Sequence, residues 1–453
     1  MDWLTIAPPV LAILIAVLSR NVYFALGAAI WLSETLIAGM NPALGFLGVV
    51  DRSVGVFESA GNTRILLFCL IIGALIAFMQ ASGGISAMVS LLTRRNVAST
   101  PRRASLATAL AGIILFVETN ISLLASGIMG RPLFDSQKMS RERLAYIIDS
   151  TSAPVSTLIP LNGWGAYILG LIAAYEVGDT LSVLIGSIGL NFYALLTVGL
   201  VLFTALSNRV FGPLKTVEAK GAAGPAGGVE PPSHPAYMGV PLLILVGGAL
   251  GFMAYTGGGN ILQGSGSQAI LWAVIVATLV SFLMLRFSGR FSTKDLGEQA
   301  TKGMGALLPA VAVIFMALAL GDSLRALGTG AYIAALAQNV EAAFLLPAIV
   351  FIAAALTSFA TGTSWGTYAI IIPIAMPLAI GAGIPPALML AAVMGGGVFG
   401  DHCSPISDTS IIASFAAGCD HIDHVRTQIP YALAAAFLAV ALYVGVGYLS
   451  VGP

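Results

Sequence analysis

The segment Gly400–Ser410 carries far more polar side chains than the sequence around it. It reads GDHCSPISDTS and contains two carboxylates, Asp401 and Asp408, with an imidazole, several hydroxyls and a proline. Apolar runs at residues 387–399 and 411–417 flank it, and neither reaches the roughly 20 apolar residues that one membrane crossing needs. Together they predict one crossing that is broken in the middle. Because backbone leaves a helix at membrane depth only where it lines a cavity or is buried in protein, this break is a candidate functional site.

The composition predicts a polytopic membrane protein. Of the 453 residues, 58% are hydrophobic and 9% are charged, whereas soluble domains have about 25% charged residues. The net charge is zero and no basic block is present, so we expect no nucleic-acid partner. The cysteines have no paired spacing, which argues against a disulfide framework. The first apolar run lacks a basic region and a cleavage site, which predicts a retained helix.

Candidate membrane crossings, some with an interruption, recur along the chain. They are residues 4–18, 22–38, 65–78, 144–173, 181–206, 238–255, 269–285, 304–320, 387–417 and 429–449. If these crossings alternate in direction, every Lys and Arg except Arg52, Arg64 and Arg325 falls on one side. Since basic residues concentrate in cytoplasmic loops, we expect a multi-pass protein of the plasma (inner) membrane. Both termini are then outside, in the periplasm.

Two further apolar stretches, residues 104–130 and 344–380, each have a polar tip. The first has basic clusters at both ends and the tip Glu118-Thr119-Asn120, and the second has its tip at residues 357–367. If both ends of the first stretch are cytoplasmic, the chain enters the membrane and returns, which predicts a re-entrant helical hairpin. The second stretch follows the same plan and is predicted to enter from the opposite face.

The two halves of the chain, residues 1–211 and 237–453, then follow the same order of elements. Each half has crossings, a hairpin, a broken helix and a last crossing, with opposite starting sides. The broken helices are residues 144–173 and 387–417, with breaks predicted at residues 152–157 and 403–408. We therefore predict an all-α polytopic membrane protein of two inverted-topology repeats, with about ten crossings, two re-entrant hairpins and broken helices at the midplane. Residues 212–236 are rich in Gly and Pro and predict a flexible cytoplasmic linker.

The polar residues of the tips and breaks are the candidate binding residues. Pro405 has no N–H and disfavours helix before it, so it frees carbonyl oxygens, and hard cations such as Na⁺ prefer oxygen ligands. One predicted site joins the second hairpin tip to the second break and comprises Thr361, Gly362, Thr363, Ser364, Asp401, Ser404, Ser407, Asp408 and Thr409. Its pseudo-symmetric partner comprises Glu118, Thr119, Asn120, Ser152 and Ser156.

Several of these residues also have a purely structural interpretation. Hydroxyls in membrane helices often satisfy backbone carbonyls, Asp401 could cap a half-helix, and Glu118 could pair with a nearby arginine. His402 is a candidate proton relay, because its unperturbed pKa lies near physiological pH, or a plain hydrogen-bonding residue. The stretch Cys419–His424 resembles a metal cluster only superficially and is interpreted as the solvated start of a helix. Glu34 is interpreted as a packing or interface residue.

Three strings resemble the NhaC-type Na⁺/H⁺ antiporter family, within the ion-transporter superfamily of elevator-type secondary carriers. They are GDHCSPISDTS, the tip FATGTSWGTYAIIIPIAMPLA (Phe359–Ala379) and FVETNISLLASGIMGRPL (Phe116–Leu133). The resemblance covers essentially the whole chain. It implies a scaffold domain and a moving transport domain, a homodimer, Na⁺ coupling, and a site at the hairpin tips and broken helices. It leaves the substrate open among Na⁺/H⁺ exchange, malate/lactate exchange and amino-acid transport.

We therefore expect a secondary active transporter that is coupled to Na⁺, most simply a Na⁺/H⁺ antiporter. Asp408, with Glu118 or Asp401, would bind Na⁺ when ionised and H⁺ otherwise, since low dielectric raises the pKa of a carboxyl group. The alternative is Na⁺-coupled transport of a small organic solute, an amino acid or a carboxylate. Neither an enzyme nor a channel is expected, nor any cofactor or metal beyond the coupling ions. The expected partners are membrane lipid, Na⁺, H⁺, a second copy of the chain and, in the alternative, the organic solute.

The re-entrant hairpin makes a prediction about labelling. Single cysteines in place of Lys138 and Arg95, in a chain without its native cysteines, should both react with a membrane-impermeant maleimide from the cytoplasmic side only. The reason is that a hairpin returns its second end to the face from which it entered. Labelling from opposite faces in intact cells and everted vesicles would refute the re-entrant hairpin.

Overall fold

The computed structural model describes residues 2–19, 21–84, 87, 100–116, 119–175, 177–219, 233–259, 264–338, 341–405 and 407–451. Over these residues the protein is built from helices and has no strand, which confirms the all-α prediction. Within the described residues, seven segments are long and apolar enough to cross a membrane, or up to ten if each bent helix pair counts as one span. The protein is therefore a polytopic membrane protein, as the composition predicts.

The helices of the first half interrupt three predicted segments, residues 104–130, 144–173 and 181–206. These helices are α1 (Ala7–Ser19), α2 (Val22–Ile37), α3 (Pro42–Gly55), α4 (Ala60–Ala81), α5 (Pro101–Ile114), α6 (Thr119–Ser136), α7 (Arg141–Leu158), α8 (Gly163–Ile172), α9 (Thr180–Ile188) and α10 (Phe192–Ser207). The interruption between α5 and α6 lies at the predicted tip of the first hairpin. Helix α3 was not predicted; it turns back from α2 at 115°, and Arg52 on it pairs with Glu34 at 2.8 Å.

The linker forms α11 (Pro213–Glu218), and the second half follows it. Its helices are α12 (Ala236–Thr256), α13 (Gly266–Phe287), α14 (Thr293–Ala326), α15 (Thr329–Ala337), α16 (Leu346–Thr361), α17 (Ser364–Ala382), α18 (Pro386–Cys403), α19 (Asp408–Ala417) and α20 (His421–Val451). Each arm of the second predicted hairpin, α16 and α17, is by length and composition a candidate span of its own. The re-entrant course of both hairpins stays a prediction.

The helices pack as two groups that meet at the centre. In the scaffold group, α4, α13 and α14 pack on one another, α12 lies against α13, and α2 lies against α14. In the hairpin group, α5 and α6 pack on α7, and α16 and α17 pack on α18. Helix α6 also packs on α19, so the first hairpin touches the broken helix of the other half. This crossing of the halves brings both hairpin tips to one place.

The first break lies further along the chain than predicted. Residues 152–157, including Pro154, are inside α7, and the interruption is at residues 159–162, where the helix axis bends by 44°. Asn162 explains this position. Its side-chain oxygen accepts from the N–H groups of Trp164 and Gly165, at 2.9 and 3.1 Å, and its amide donates to the Ser156 carbonyl at 2.8 Å. One side chain thus satisfies backbone groups on both sides of the gap, next to Pro160, whereas Pro154 is accommodated within the helix.

The second break lies within the predicted segment. Helix α18 ends at Cys403, and α19 begins at Asp408 with Ser407 as its N-cap. The other end of α19 is held by guanidinium groups. Arg141 donates to the Ala417 carbonyl at 3.0 Å and Arg131 to the Ala416 carbonyl at 2.7 Å. Cations at a helix C-terminus complement its partial negative charge, so this short half-helix is fixed at both ends.

Part of the predicted flexible linker is ordered. Residues 213–218 form α11, and the Glu218 carboxylate accepts from Arg143 at 3.1 Å and from the Ser140 hydroxyl at 2.7 Å. An ion pair with a buried arginine thus holds this part of the linker, a contact that the sequence did not predict. Residues 220–232 lie outside the described residues.

The close crossing of α4 and α14 makes a prediction about stability. A Cβ at Gly303 would lie 2.2 Å from the Gly73 carbonyl oxygen, so Gly303→Ala must push the helices apart. Overpacking of this kind costs about 1–3 kcal/mol, and the midpoint of thermal unfolding in detergent should fall. Gly305→Ala, two residues along the same helix, is the control, because its Cβ would meet nothing within 4 Å. Equal midpoints for the two variants would contradict the close crossing.

Candidate functional site

A cavity of about 520 Å³ separates the scaffold group from the hairpin tips. The scaffold wall comes from α2, α4 and α14 and is largely apolar, with Ile72, Ile76, Val313 and Ile314 among its residues. The opposite wall carries the carboxylate of Asp401 and the hydroxyls of Thr119, Thr361, Thr363 and Thr409, beside Trp164 and Trp365. Both hairpin tips and the second break therefore face one cavity.

Asp401 is the best-defined charged group of this wall. It lies in the last turn of α18, is 2% exposed, and accepts hydrogen bonds on both carboxylate oxygens. Oδ2 accepts from the Ser364 hydroxyl at 2.5 Å and from the Ser364 N–H at 3.3 Å, and Oδ1 accepts from the Ser407 hydroxyl at 2.6 Å. Ser364 begins α17 and Ser407 caps α19. Two helix N-termini, each with partial positive charge, thus meet at this carboxylate.

The neighbouring hydroxyls divide into two kinds. The Thr409 hydroxyl lies 3.0 Å from that of Ser407 and extends the polar group around Asp401. The hydroxyls of Thr361 and Ser404 donate to backbone carbonyls, of Thr357 at 2.9 Å and of Phe359 at 2.8 Å. These two follow the structural interpretation in which hydroxyls satisfy backbone carbonyls.

The tip between α16 and α17 turns sharply at Gly362. This residue has a φ of +68°, a backbone conformation that glycine adopts without steric cost. The turn lets α16 end and α17 begin within a few residues, with Thr363 between them. Gly362 therefore shapes the tip and supplies no side chain to the site.

The structure describes only some of the site residues that were predicted in the first half. Glu118 lies outside the described residues, as do the side chains of Asn120 and, in the second half, Asp408, which begins α19. The Thr119 hydroxyl lies 3.4 Å from that of Ser156, and Ser152 pairs with Ser122 at 2.8 Å. Ser152 and Ser156 therefore face the first hairpin from inside α7, rather than from a break.

His402 faces away from the cavity. It is fully buried, with Nε2 2.9 Å from the Ser150 hydroxyl and Nδ1 2.9 Å from the Tyr193 hydroxyl. Both ring nitrogens thus have hydroxyl partners contributed by α7 and α10. Adjacent residues of α18 send their side chains to opposite sides, with Asp401 toward the cavity and His402 into the hairpin group.

The sequence interpretation missed a buried acid–base pair behind the break. Asp149 on α7 and His424 on α20 are both fully buried, and their Oδ2 and Nε2 atoms are 3.2 Å apart. The solvated helix start predicted for Cys419–His424 is wrong for His424, because this side chain is buried against Asp149 on α7. The sequence did indicate Asp149 as a candidate, because it is an acidic residue inside the predicted crossing at residues 144–173.

A second cavity, of about 530 Å³, lies away from the break. Glu58, Asp179, Asp322 and Arg325 line it, and Asp322 lies 3.5 Å from Arg325. The predicted site residues do not belong to its lining, so the cavity beside Asp401 is the candidate site.

Comparisons with known proteins agree with this architecture. An uncharacterized protein of Haemophilus influenzae is 31% identical, over 99% of this chain and 90% of its own length. The arginine/ornithine antiporter ArcD of Halobacterium salinarum is 29% identical, over 46% of this chain and 42% of its own. The crystal structure of the Alcanivorax borkumensis YdaH transporter shares the fold, with a TM-score of 0.62 at 16% identity, over 90% of this chain and 89% of its own. The family profile described as the Na⁺/H⁺ antiporter family matches residues 163–448, and the chain belongs to that family.

Proposed function

We propose that the protein exchanges Na⁺ for H⁺ across the inner membrane by an alternating-access elevator mechanism, with Asp401 as the carboxylate that binds the two ions in turn. The observation that carries the proposal is the position of Asp401, on the cavity wall between two helix N-termini and two serine hydroxyls. Membership of the Na⁺/H⁺ antiporter family supports it.

The chemistry follows from the groups around Asp401. A hydroxyl donates one hydrogen bond and also offers lone pairs, so Ser364, Ser407 and Thr409 can stabilise the ionised carboxylate and also supply oxygens to a cation. Ionised, the carboxylate and these hydroxyls form the oxygen-rich group that a hard cation prefers. Protonated, the same carboxyl group loses its attraction for Na⁺. One site thus holds one ion or the other, as antiport requires.

The two walls of the cavity support movement of the site as a unit. Asp401 and its hydroxyl partners belong to α17, α18 and α19 of the hairpin group. The scaffold wall is mostly aliphatic, so a sliding hairpin group would exchange few polar contacts across it. Such a displacement would carry the ion past the scaffold together with the groups that bind it.

Transport of a small organic solute together with Na⁺ is the second candidate. The cavity has the volume of an ordinary small-molecule site, and the rings of Trp164 and Trp365 lie 5.3 Å apart on its wall. Neither Lys nor Arg is among the described lining residues. This favours a zwitterion or cation over a dicarboxylate, and the similarity to an arginine/ornithine antiporter is consistent with that class.

Everted vesicles from cells without other Na⁺/H⁺ antiporters distinguish the two candidates. If the protein is a Na⁺/H⁺ antiporter, Na⁺ alone should collapse a preformed ΔpH, as measured with a pH-sensitive dye. The exchange needs no further solute, because the carboxylate releases H⁺ as it binds Na⁺. A collapse that requires an added amino acid as well as Na⁺ would refute simple antiport and favour the second candidate.

Asp401→Asn should lower the Na⁺-dependent rate in this assay by about a hundredfold or more, since losing a charge-assisted contact costs up to about 3 kcal/mol and an amide exchanges no proton. Asp51→Asn, at an exposed carboxylate on α3, is the matched control and should leave the rate unchanged. Immunoblots of the vesicles check that both variants reach the membrane. A normal Na⁺ dependence in Asp401→Asn would exclude this carboxylate as the ion-binding group.

A further inference from the structure

The buried pair of Asp149 and His424 has polar neighbours on α19 and α20. Gln428 on α20 donates from Nε2 to Asp149 Oδ2 at 2.7 Å, and the Ser410 hydroxyl on α19 lies 3.5 Å from the same oxygen. All four side chains are buried, and Asp149, His424 and Gln428 are 0% exposed. A titratable pair therefore lies buried between α7, α19 and α20, apart from the cavity that Asp401 lines.

Three polar atoms of this cluster have no hydrogen-bond partner among the described residues. They are Oδ1 of Asp149, Nδ1 of His424 and Oε1 of Gln428. A buried polar atom without a partner costs about 1–3 kcal/mol, and more when it is charged, so such atoms are rare in native proteins unless a function requires them. Oδ1 and Oε1 have lone pairs that can accept a hydrogen bond or a proton. Nδ1 has one too when the ring carries its hydrogen on Nε2. The cluster therefore has fewer hydrogen-bond donors than its acceptor atoms can use.

The charges around the pair lead to the same conclusion. Ionised Asp149 beside neutral His424 would be a buried charge without compensation, which is costly, whereas the pair with one added proton is neutral. The nearest arginine on α7, Arg143, already pairs with Glu218. The other titratable groups around the pair are neutral or acidic. They are Glu142 on α7, His402 and Cys403 on α18, and Tyr193 on α10. On α20 itself, Asp423 and Arg426 flank His424 and are exposed.

The pair is connected to the break that holds Asp401. Gln428 Nε2 donates to the His402 carbonyl as well as to Asp149, and the Ser410 hydroxyl lies 3.3 Å from that carbonyl. Na⁺ in place of the proton on Asp401 leaves the net charge there unchanged but removes a hydrogen-bond donor, and the hydrogen bonds at the His402 carbonyl connect that change to the pair.

We propose that Asp149 and His424 form a second proton site, which is loaded while Asp401 is free of Na⁺ and releases its proton to water when Na⁺ binds at Asp401. The proton leaves as H⁺ from the imidazolium or carboxyl group, and no other bond is made or broken. The inference rests on the Na⁺/H⁺ exchange proposed above. It implies that more than one H⁺ moves for each Na⁺, so that exchange carries net charge.

Proton release on Na⁺ binding tests this site directly. The purified full-length protein in weakly buffered detergent solution is mixed with NaCl, and a pH-indicator dye reports the protons released at several pH values. Bound Na⁺ is measured in parallel by equilibrium dialysis with radioactive sodium. In Asp149→Asn the number of protons released per bound Na⁺ should fall about twofold relative to the wild type, because one of two linked sites is lost, while Na⁺ still binds.

Control variants separate the possible outcomes. Asp51→Asn removes an exposed carboxylate from α3, away from both sites, and should release as many protons as the wild type. If Asp149→Asn does not fold, His424→Gln should show the same twofold loss. An unchanged proton count in the folded variant would overturn the second site and leave Na⁺/H⁺ exchange at Asp401 intact. If the wild type binds no Na⁺, both proposals fail.

Discussion

The desolvation of the Asp401 carboxylate is the constraint on which the rest of the site depends. A carboxylate that is 2% exposed is stable in its charged form only if donors replace the water that it has lost. Here the donors come from the first residue of α17 and the N-cap of α19, so both helices must begin at the same point. The interruptions at the hairpin tip and at residues 404–407 are what place two helix N-termini there.

Keeping these helix ends in place requires support at a distance. The C-terminus of α19 is bound by Arg131 and Arg141, which reach it from α6 and α7. On the other side, Asn162 bridges the gap between α7 and α8. Each of these helix ends thus has a side chain that satisfies the backbone groups it exposes. This is how irregular backbone can persist at membrane depth.

The sequence predicted the second break well and the first one poorly, and the reason is local. At residues 403–408 a proline and a dense run of polar residues interrupt an apolar stretch, so the pattern indicates both the break and its chemistry. At residues 152–157 a similar Ser-x-Pro pattern is absorbed inside α7, whose serines pair with the first hairpin. The break moves to Asn162, which has partners on both sides. Proline permits a break, but the neighbouring helices decide whether it occurs.

By itself the sequence determined the all-helical membrane architecture, the polar tips and the interruption around Pro405, because hydropathy, charge and the missing N–H of proline act over a few residues. Only the tertiary structure decided that Asp401 faces the cavity while His402 faces inward, and that Asp149 meets His424. That last contact joins residues 275 positions apart in the chain. Such contacts depend on how α6 and α7 of one half pack against α19 and α20 of the other, which no local pattern encodes.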